Sequence, residues 1–354
     1  MQNSLLIIDK TQFGYLTDSH KWCEYLRDEY HITYLCYDFG RKKMPIDGVE
    51  VKYLTLGKIR ALRFFRWFIF CLWHIMLHKG VTIVIYHKKC DIWKRIMPHK
   101  KMIVDIRTLS VDSSLNARTR YDNDVRNSAK YFDAITIISA GLSQKLGDVG
   151  KPKFILPLGS DVISHEPKTL DSLRLLYVGT FTNRDLHKTL EGLRIWINSH
   201  PNCKISYDII GDGNGTELDE LMTYSRQLCL DQYVTFHGRL PHDELKRFFD
   251  KCNIGVSFVP ITDYFQYQPP TKTYEYILSG LYTIATNTKS NYEIINHENG
   301  LLINDTSEDF ANALSYTEQH LTQISDIKIR NSLQESTWDT LVKRCFIPII
   351  KRFI

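Results

Sequence analysis

The chain has 354 residues, of which 43% are hydrophobic and 24% charged, and its formal net charge is +5. This length exceeds one ordinary hydrophobic core, so two globular domains are expected. The composition excludes a disordered or fibrous chain, and no apolar run reaches the roughly 18–20 residues needed to span a bilayer. No basic region precedes the first apolar segment, so we expect no signal peptide and a cytoplasmic protein.

The cysteines and carboxylates give no sign of a metal site. Eight cysteines are spread along the chain without a Cys-x-x-Cys pair. Most of them lie in apolar runs, which predicts reduced and buried thiols rather than disulfides or a zinc site. No paired-carboxylate motif is visible either, so we expect the protein to bind no metal.

Short apolar strands alternate with helix-like segments through the first half of the chain. Such alternation predicts a parallel sheet with helices on both faces. The predicted strands are Leu5–Asp9, Ile32–Tyr37, Val81–Tyr86, Met102–Ile106, Ala134–Ser139 and Phe154–Pro157, and the predicted helices are Ser19–Tyr30, Ile59–Leu77 and Asn123–Phe132.

The same alternation returns after Lys151–Ser172, a segment with three prolines that lacks an apolar period. We therefore predict two doubly wound α/β domains, residues 1–164 and 165–336, facing a central cleft where a ligand meets the carboxyl ends of strands. The predicted strands of the second half are Leu173–Val178, Ile205–Ile210, Val234–His237, Ile254–Phe258 and Tyr282–Ala285, and its helices are His187–Ser199, Leu218–Leu228, His242–Phe249 and a helix containing Glu275.

Positive charge is concentrated in residues 41–101, which hold fifteen Lys or Arg and three Asp or Glu, whereas the rest of the chain sums to −7. Within this region, the segment 58–79 has Arg60, Arg63 and Arg66 at roughly helical spacing beside many aromatic residues. A helix of this kind can lie in the interface of an anionic membrane. The alternative is a core helix with a basic edge. A nucleic-acid site is not favoured, because no nucleic-acid motif accompanies the charge.

The segment 268–280 combines a loop end, a helix start and one carboxylate. Two prolines end the loop, Thr271 can cap the helix, and Gly280 stops it before a strand. A helix N-terminus with free N–H groups binds phosphate, and Glu275, about one turn later, can accept hydrogen bonds from a ribose diol. This combination suits a nucleoside diphosphate. The predicted binding residues here are Thr271, Lys272, Thr273 and Glu275.

Two further turns of the second half carry glycine between a strand and the next helix. Gly179 can let the backbone approach a ligand, and Arg184 can clamp a diphosphate with two hydrogen bonds. The alternative for Arg184 is a solvated loop residue. Gly211 ends the next strand, where a routine turn is the alternative.

The first half offers weaker candidates. Gly14, between the first strand and its helix, could admit a diphosphate or an acceptor, or it could be only a tight turn. Asp105 and Arg107 end a strand at the presumed cleft, where a charged pair suggests a site. The alternative for this pair is a structural contact that pins the following loop.

These motifs resemble the donor-site signature of the retaining glycosyltransferases of family 4, which have the GT-B fold. Many members carry Pro-x-Lys-x-x-Glu-Tyr, then Gly and a short Val/Ile-rich strand. The segments around Gly211 and Gly238 resemble two further loops of the family, in the family's order. The matching residues of the signature are Pro270, Lys272, Glu275, Tyr276, Gly280 and Ile284.

One departure from the family concerns the donor sugar. The fuller motif has two glutamates with seven residues between them, and the first approaches the sugar. In this chain the position eight before Glu275 is Tyr267. The resemblance therefore supports nucleotide binding more directly than contacts to the sugar.

The resemblance implies transfer of a sugar, with retention, from a UDP- or GDP-sugar, without a permanently bound cofactor or a metal. Arg184 with Lys188 or Lys272 would contact the phosphates, and Arg239 and Leu240 would border the base. Asp105 and Arg107 stand where members often have a histidine that touches donor and acceptor.

The resemblance also implies the kind of acceptor, the cellular location and the biosynthetic role. The acceptor would be a lipid-linked or other oligosaccharide at the inner face of the cytoplasmic membrane, in the synthesis of bacterial O-antigen, capsule or exopolysaccharide. The final helix, residues 337–354, would pack back on the first domain.

Two other functions are compatible with these motifs. A nucleotide-sugar epimerase can share the GT-B fold, but it acts without an acceptor. A catalytically degenerate binding or scaffold protein would explain the absent first glutamate as lost chemistry.

Overall fold

The computed structural model describes residues 3–112, 114–201 and 204–354. The chain divides into two compact units. The N-terminal unit runs to Leu158 and also contains Trp338–Ile354, and the C-terminal unit is Gly159–Thr337.

The N-terminal unit is a parallel sheet flanked by helices. Its strands are β1 (Asn3–Ile8), β2 (Tyr30–Asp38), β3 (Val49–Thr55), β4 (Val81–Ile85), β5 (Met102–Ile106), β6 (Ala134–Ile137) and β7 (Lys153–Ile155). Its first helices are α1 (Thr17–Leu26), α2 (Arg60–Leu77), α3 (Ile92–Ile96), α4 (Leu115–Ala129) and α5 (Ala140–Leu146). The strand order is β3-β2-β1-β4-β5-β6-β7, and the order reverses between β1 and β4, as in doubly wound folds.

The C-terminal unit repeats this plan. Its strands are β8 (Leu173–Val178), β9 (Ile205–Ile210), β10 (Val234–Gly238), β11 (Ile254–Ser257), β12 (Tyr282–Thr286) and β13 (Gly300–Ile303). Its α-helices are α6 (His187–Ser199), α7 (Glu217–Gln227), α8 (Lys246–Lys251), α9 (Thr271–Leu278), α10 (Lys289–Tyr292), α11 (Ser307–His320) and α12 (Asp326–Asn331). The strand order is β10-β9-β8-β11-β12-β13, so the reversal lies between β8 and β11.

The strands read as continuous apolar runs because helices cover both faces of each sheet. Leu5–Ile8 of β1 and Val81–Ile85 of β4 are buried throughout. This confirms the α/β class and the two parallel sheets that the alternation predicted.

The end of the chain is helical but interrupted. It consists of α13 (Trp338–Leu341), a π-helical turn at Val342–Phe346, and α14 (Ile347–Lys351). Pro348, which lacks an N–H and disrupts the regular ladder, is the second residue after the π turn. Within the N-terminal unit, the rings of Trp22 and Phe346 lie 4.7 Å apart.

Several elements escaped the sequence prediction. They are β3, β13, α3, α5, α10, α11 and α12, and the helix predicted at Asn123–Phe132 begins earlier, at Leu115. β3 is an edge strand without a buried residue, so it lacks the apolar run that identified the central strands. The segment predicted as one helix at His242–Phe249 is a 3₁₀ turn that leads into α8.

Two further predictions concern disulfide bonds and membrane-spanning segments. None of the described cysteines forms a disulfide, and most of them are buried; Cys203 lies outside the described residues. Within residues 3–112, 114–201 and 204–354, no helix is long and apolar enough to cross a membrane.

Candidate active site

The candidate site lies at the carboxyl-end edge of the C-terminal sheet, at the reversal between β8 and β11. Parallel strands all end at the same edge, and ligands of doubly wound sheets bind where the strand order reverses. The loop after β8 carries Gly179 and Arg184, and the loop after β11 leads into α9.

Tyr276 holds α9 on the sheet. Its side chain is fully buried, and its ring takes the space that a side chain on Gly255 would need, since a Cβ there would lie 2.4 Å from the ring. Its hydroxyl accepts a hydrogen bond of 2.8 Å from the N–H of Val178. Helix α9 and the end of β8 are therefore tied together, which places the first turn of α9 beside the Gly179 loop.

Lys272 presents a buried ammonium group at this edge. Its side chain is 9% exposed, its Nζ lies 3.7 Å from the centre of the Tyr177 ring, and this Nζ has no hydrogen-bond partner among the described residues. Burial, then the charge of Arg184, lower the pKa of Lys272 well below its ordinary value, while Glu275 opposes this. A buried cation without an acceptor indicates a site for an anion.

The Gly179 loop leaves room next to this ammonium. Gly179 has φ +149°, and a Cβ there would lie 3.4 Å from Nζ of Lys272. Gly211, at the end of β9, also has φ +149°, and a Cβ there would lie 1.8 Å from the carbonyl oxygen of Gly179. Only glycine at these two positions lets the adjacent loops close against each other and leave their backbone accessible.

Arg184 is the second cation of the site. Its Cζ lies 4.5 Å from the centre of the Phe265 ring, and burial lowers its pKa. The flanking Asn183 and Asp185 have φ +58° and +50°, a left-handed conformation that asparagine and aspartate adopt more readily than other residues with a side chain. Arg184 is half-buried on an aromatic ring, so it is not the fully solvated loop residue of the alternative interpretation.

Glu275 adds a carboxylate one turn into α9. Its side chain is partly buried and accepts no hydrogen bond from any described residue. Burial raises the pKa of Glu275 to about 7, with a further increase from Asp161 and a decrease from Lys272. A partly exposed carboxylate without a donor of its own can receive two ligand hydroxyls.

A cavity of about 430 Å³ adjoins these loops. It is lined by the Gly179 and Gly211 loops together with Arg239 and Leu240. Arg239 is largely exposed and its NH1 lies 3.4 Å from Asp212, whereas Leu240 packs against the buried cluster around Tyr276. One wall of the cavity is therefore charged and exposed, and the other is apolar.

The first turn of α9 differs from the prediction in two details. Thr271 is the first helical residue rather than the cap, which is Pro270. Thr273 is fully buried, its Oγ1 lies 2.7 Å from Ser257 Oγ, and its N–H donates to the Pro270 carbonyl. The predicted role of Thr273 in ligand binding is not supported by this placement, because both of its polar groups are already bonded. The N–H groups of Thr271 and Lys272 have no partner among the described residues.

Lys188 and Tyr267 are each bonded to a charged side chain of the protein. Nζ of Lys188 pairs with Asp185 at 3.2 Å, whereas Nζ of Lys272 would lie 3.4 Å from a Cβ on Gly179, so Lys272 is the lysine next to this glycine. Nζ of Lys289 donates to the hydroxyl of Tyr267 at 2.7 Å. At the position where the family has its first glutamate, this chain thus presents a phenol and an ammonium group.

In the N-terminal unit, Asp105 and Arg107 face the interior. Asp105 is fully buried and accepts a hydrogen bond from Thr136, and burial raises its pKa to about 6. Nε of Arg107 donates to Asp18 at 2.7 Å, and NH1 donates to the carbonyl of Leu156. These contacts favour the structural alternative, in which the pair holds neighbouring elements together.

Gly14 is also covered. A Cβ on Gly14 would lie 2.7 Å from Sδ of Met44, so the side chain of Met44 occupies the space beside this glycine. The placement favours the tight turn over the entry of a diphosphate.

Sequence reasoning missed two aromatic side chains of the site. Tyr177 lies under Lys272 and Phe265 lies under Arg184. Tyr177 belongs to an apolar strand and Phe265 to a loop, and neither position has a pattern that distinguishes it from an ordinary core residue.

The site therefore has the features expected of an anion-binding site at the reversal of a doubly wound sheet. The family model described as glycosyl transferases group 1 matches residues 172–319, which include all of these C-terminal residues. Comparison with curated protein sequences finds no significant match.

Solved structures are similar over nearly the whole chain. Sucrose-phosphate synthase from Thermosynechococcus elongatus has 14% identity, covers 99% of this chain and 98% of its own, and gives a TM-score of 0.75. HepE of Anabaena in complex with UDP and glucose has 13% identity, coverages of 99% and 100%, and a TM-score of 0.73. The lipopolysaccharide outer core galactosyltransferase WaaB has 15% identity, coverages of 99% and 100%, and a TM-score of 0.72.

These similarities show a GT-B fold. Together, the glycosyl transferases group 1 match and the shared fold support a glycosyltransferase. The prediction of fold class is confirmed.

Proposed function

We propose that the protein transfers a sugar, with retention, from a nucleoside diphosphate sugar to a lipid-linked oligosaccharide acceptor, as a family 4 glycosyltransferase. The observation that carries this proposal is the buried, unpartnered ammonium of Lys272 beside the open backbone of Gly179. A diphosphate oxygen would supply the missing acceptor. The charge of Arg184 lowers the pKa of Lys272, so the two cations act on the same space. Arg184 would neutralise the charge of the second phosphate.

The protein also has groups that can bind the ribose and the base of the donor. Glu275 would accept hydrogen bonds from the ribose hydroxyls, because it is exposed enough to be reached and has no donor of its own. Arg239 and Leu240 would border the base in the cavity of about 430 Å³. A structural neighbour is described as holding UDP and glucose, which favours a UDP-sugar as the first donor to test.

The chemistry requires stabilisation of the leaving group. The bond between the anomeric carbon and the phosphate oxygen breaks, and charge develops on the β-phosphate. Lys272, Arg184 and the free N–H groups at the start of α9 stabilise that charge. The acceptor hydroxyl forms the new bond on the same face and gives its proton to the departing phosphate, so no separate base is needed.

A panel of nucleotides tests the donor site. We expect UDP, or failing that GDP, to raise the melting temperature selectively among UDP, GDP, ADP, CMP and TDP. At about 100 times Kd, a ligand stabilises the folded protein by about 2.7 kcal/mol. Turnover of the corresponding nucleotide sugar with an acceptor extract then separates a transferase from a scaffold.

Two outcomes would contradict the proposal. Conversion of the nucleotide sugar without any acceptor would point to an epimerase. A nucleotide shift that is the same in wild type and in Glu275→Ala would place the nucleotide elsewhere.

The exposed side of helix α2 supports the proposal that the protein attaches to the inner face of the cytoplasmic membrane. One face of α2 is buried in its unit through Trp67, Cys71 and Ile75. The opposite face is also apolar, although it is exposed, and such a stripe is rare on a surface that meets only water. The exposed residues are Leu62, Phe65, Ile69, Trp73 and Met76, which share one side of the helix.

Neutralising Arg60, Arg63 and Arg66 together to Gln is expected to weaken partition onto anionic vesicles on the order of 10²-fold, at about 1 kcal/mol per basic residue. Co-sedimentation measures the partition. Vesicles of phosphatidylcholine alone are the control, since charge contributes nothing there. Equal partition of the variant and the wild type onto anionic vesicles would contradict membrane attachment through α2.

A further inference from the structure

A basic cavity of about 600 Å³ lies beside α2 in the N-terminal unit. The loop after β4, α3 and α4 form its other walls. None of the residues of the candidate active site lines it. Its basic lining residues are Lys88, Lys89, Arg95 and Lys130, its acidic ones are Asp91 and Asp124, and its aromatic ones are Phe64 and Tyr131.

Half of the positive charge in this cavity is already neutralised. Lys88 pairs with Asp124 at 3.4 Å, and Arg95 pairs with Asp91 at 3.6 Å. The other two cations, at positions 89 and 130, have no carboxylate within 4.0 Å among the described residues. The cavity therefore presents two uncompensated ammonium groups.

Lys89 is held in place by its backbone and by a ring. It has φ +67°, which is uncommon for a residue with a side chain. Its Nζ lies 5.0 Å from the centre of the Phe64 ring. The loop thus places an exposed ammonium group over an aromatic ring that lines the cavity.

The cavity is continuous with the aromatic flank of α2. The rings of Phe64 and Phe68 are stacked, with centroids 6.5 Å apart, and Phe65, next along the chain, is 60% exposed on the outer apolar face. A molecule with its apolar part along this helix would therefore carry its polar head to Lys89. A lipid in the bilayer has this division into apolar and charged parts.

We propose that this cavity binds the phosphomonoester head of an anionic membrane lipid, such as phosphatidic acid. Two uncompensated ammonium groups match the two charges of a phosphomonoester, and a phosphodiester head carries only one. The inference rests on the membrane attachment proposed above. The cavity would let the protein distinguish between lipid head groups, which a diffuse basic surface does not do.

The experiment compares vesicles of phosphatidylcholine with either phosphatidic acid or phosphatidylglycerol, matched for surface charge. The wild type is expected to bind the phosphatidic acid vesicles several-fold more tightly. The double variant Lys89→Asn and Lys130→Gln is expected to bind both kinds equally; asparagine tolerates the left-handed backbone. A second double variant, Lys42→Gln and Lys101→Gln, removes the same charge from exposed positions outside the cavity and is expected to keep the preference.

Three results would overturn the proposal. The wild type could show no preference, the cavity variant could retain it, or both double variants could lose it equally. Inorganic phosphate that stabilises the wild type but not the Lys89→Asn and Lys130→Gln variant against heat, without any vesicle preference, would assign the cavity to a soluble phosphate instead. Binding of phosphatidylglycerol vesicles reports on membrane attachment by itself, and the nucleotide panel reports on the donor site, so failures of the three proposals are distinguishable.

Discussion

Glu275→Ala is expected to lower turnover by at least about 10²-fold while the protein stays folded. Two charge-assisted hydrogen bonds to ribose would be lost, at about 1.5–3 kcal/mol each. The ligand-free protein has no hydrogen bond to lose at this position. Steady-state kinetics with the nucleotide sugar, and the nucleotide-induced thermal shift, measure the two consequences separately.

The pH dependence of thermal stability gives a second test at this position, for which the variant is Glu275→Gln. The pKa of Glu275 is raised from 4.5 to about 7, chiefly by burial. Between these pH values the unfolded chain has lost a proton that the folded protein still holds, so the free energy of unfolding falls as pH rises. The total fall is about 1–3 kcal/mol. Glu275→Gln should therefore melt at a higher temperature than the wild type at about pH 8, and at nearly the same temperature near pH 4.5.

The control for this pair of variants is Glu293→Ala, since Glu293 is an exposed glutamate of the same unit. It should change neither turnover nor the pH profile of stability. Unchanged turnover in Glu275→Ala would refute the site assignment. Loss of turnover together with a collapsed melting transition would show a structural role instead.

Lys272→Met is expected to reduce turnover by about 10²–10³-fold, a loss typical of removing one group that stabilises developing charge. Methionine keeps the contact with the Tyr177 ring and the volume of the buried side chain. The same change should stabilise the ligand-free protein at neutral pH, because it removes a buried ammonium without an acceptor. The enzyme would thus become more stable and less active.

The sign of the pH effect is opposite to that for Glu275. The pKa of Lys272 lies well below its ordinary value of 10.5, mainly through burial, so at intermediate pH the unfolded chain binds a proton that the folded protein does not. The stability of the wild type therefore rises with pH in this window, and its difference from Lys272→Met should shrink. Thermal melts of both proteins across alkaline pH measure this.

Lys246→Met is the matched control, because Lys246 is exposed and pairs with Asp250. It should leave turnover unchanged. A loss of turnover in Lys188→Met, with Lys272→Met unaffected, would show that Lys188 contacts the phosphates despite its pairing with Asp185.

The sequence identified some residues of the candidate site and misjudged others for definite reasons. Lys272 and Glu275 belong to one short helix, so a local motif places them within a turn of each other. Thr273 belongs to the same motif, yet its hydroxyl is bonded to Ser257, a contact that joins residues 16 positions apart. Asp105 and Arg107 lie at the end of a strand, as predicted, but their side chains are bonded to Thr136 and Asp18, which are 31 and 89 residues away along the chain.

The α/β class, the parallel sheets, the glycine loops and the apolar, basic helix α2 could be predicted from the sequence. These features follow from local periodicity, charge and the conformations open to glycine and proline. The folded protein was needed to show which lysine is buried without a partner, which aromatic rings lie under the two cations, and which face of α2 remains exposed. Those outcomes depend on contacts between distant segments, and a local pattern carries no information about which side chains such contacts neutralise.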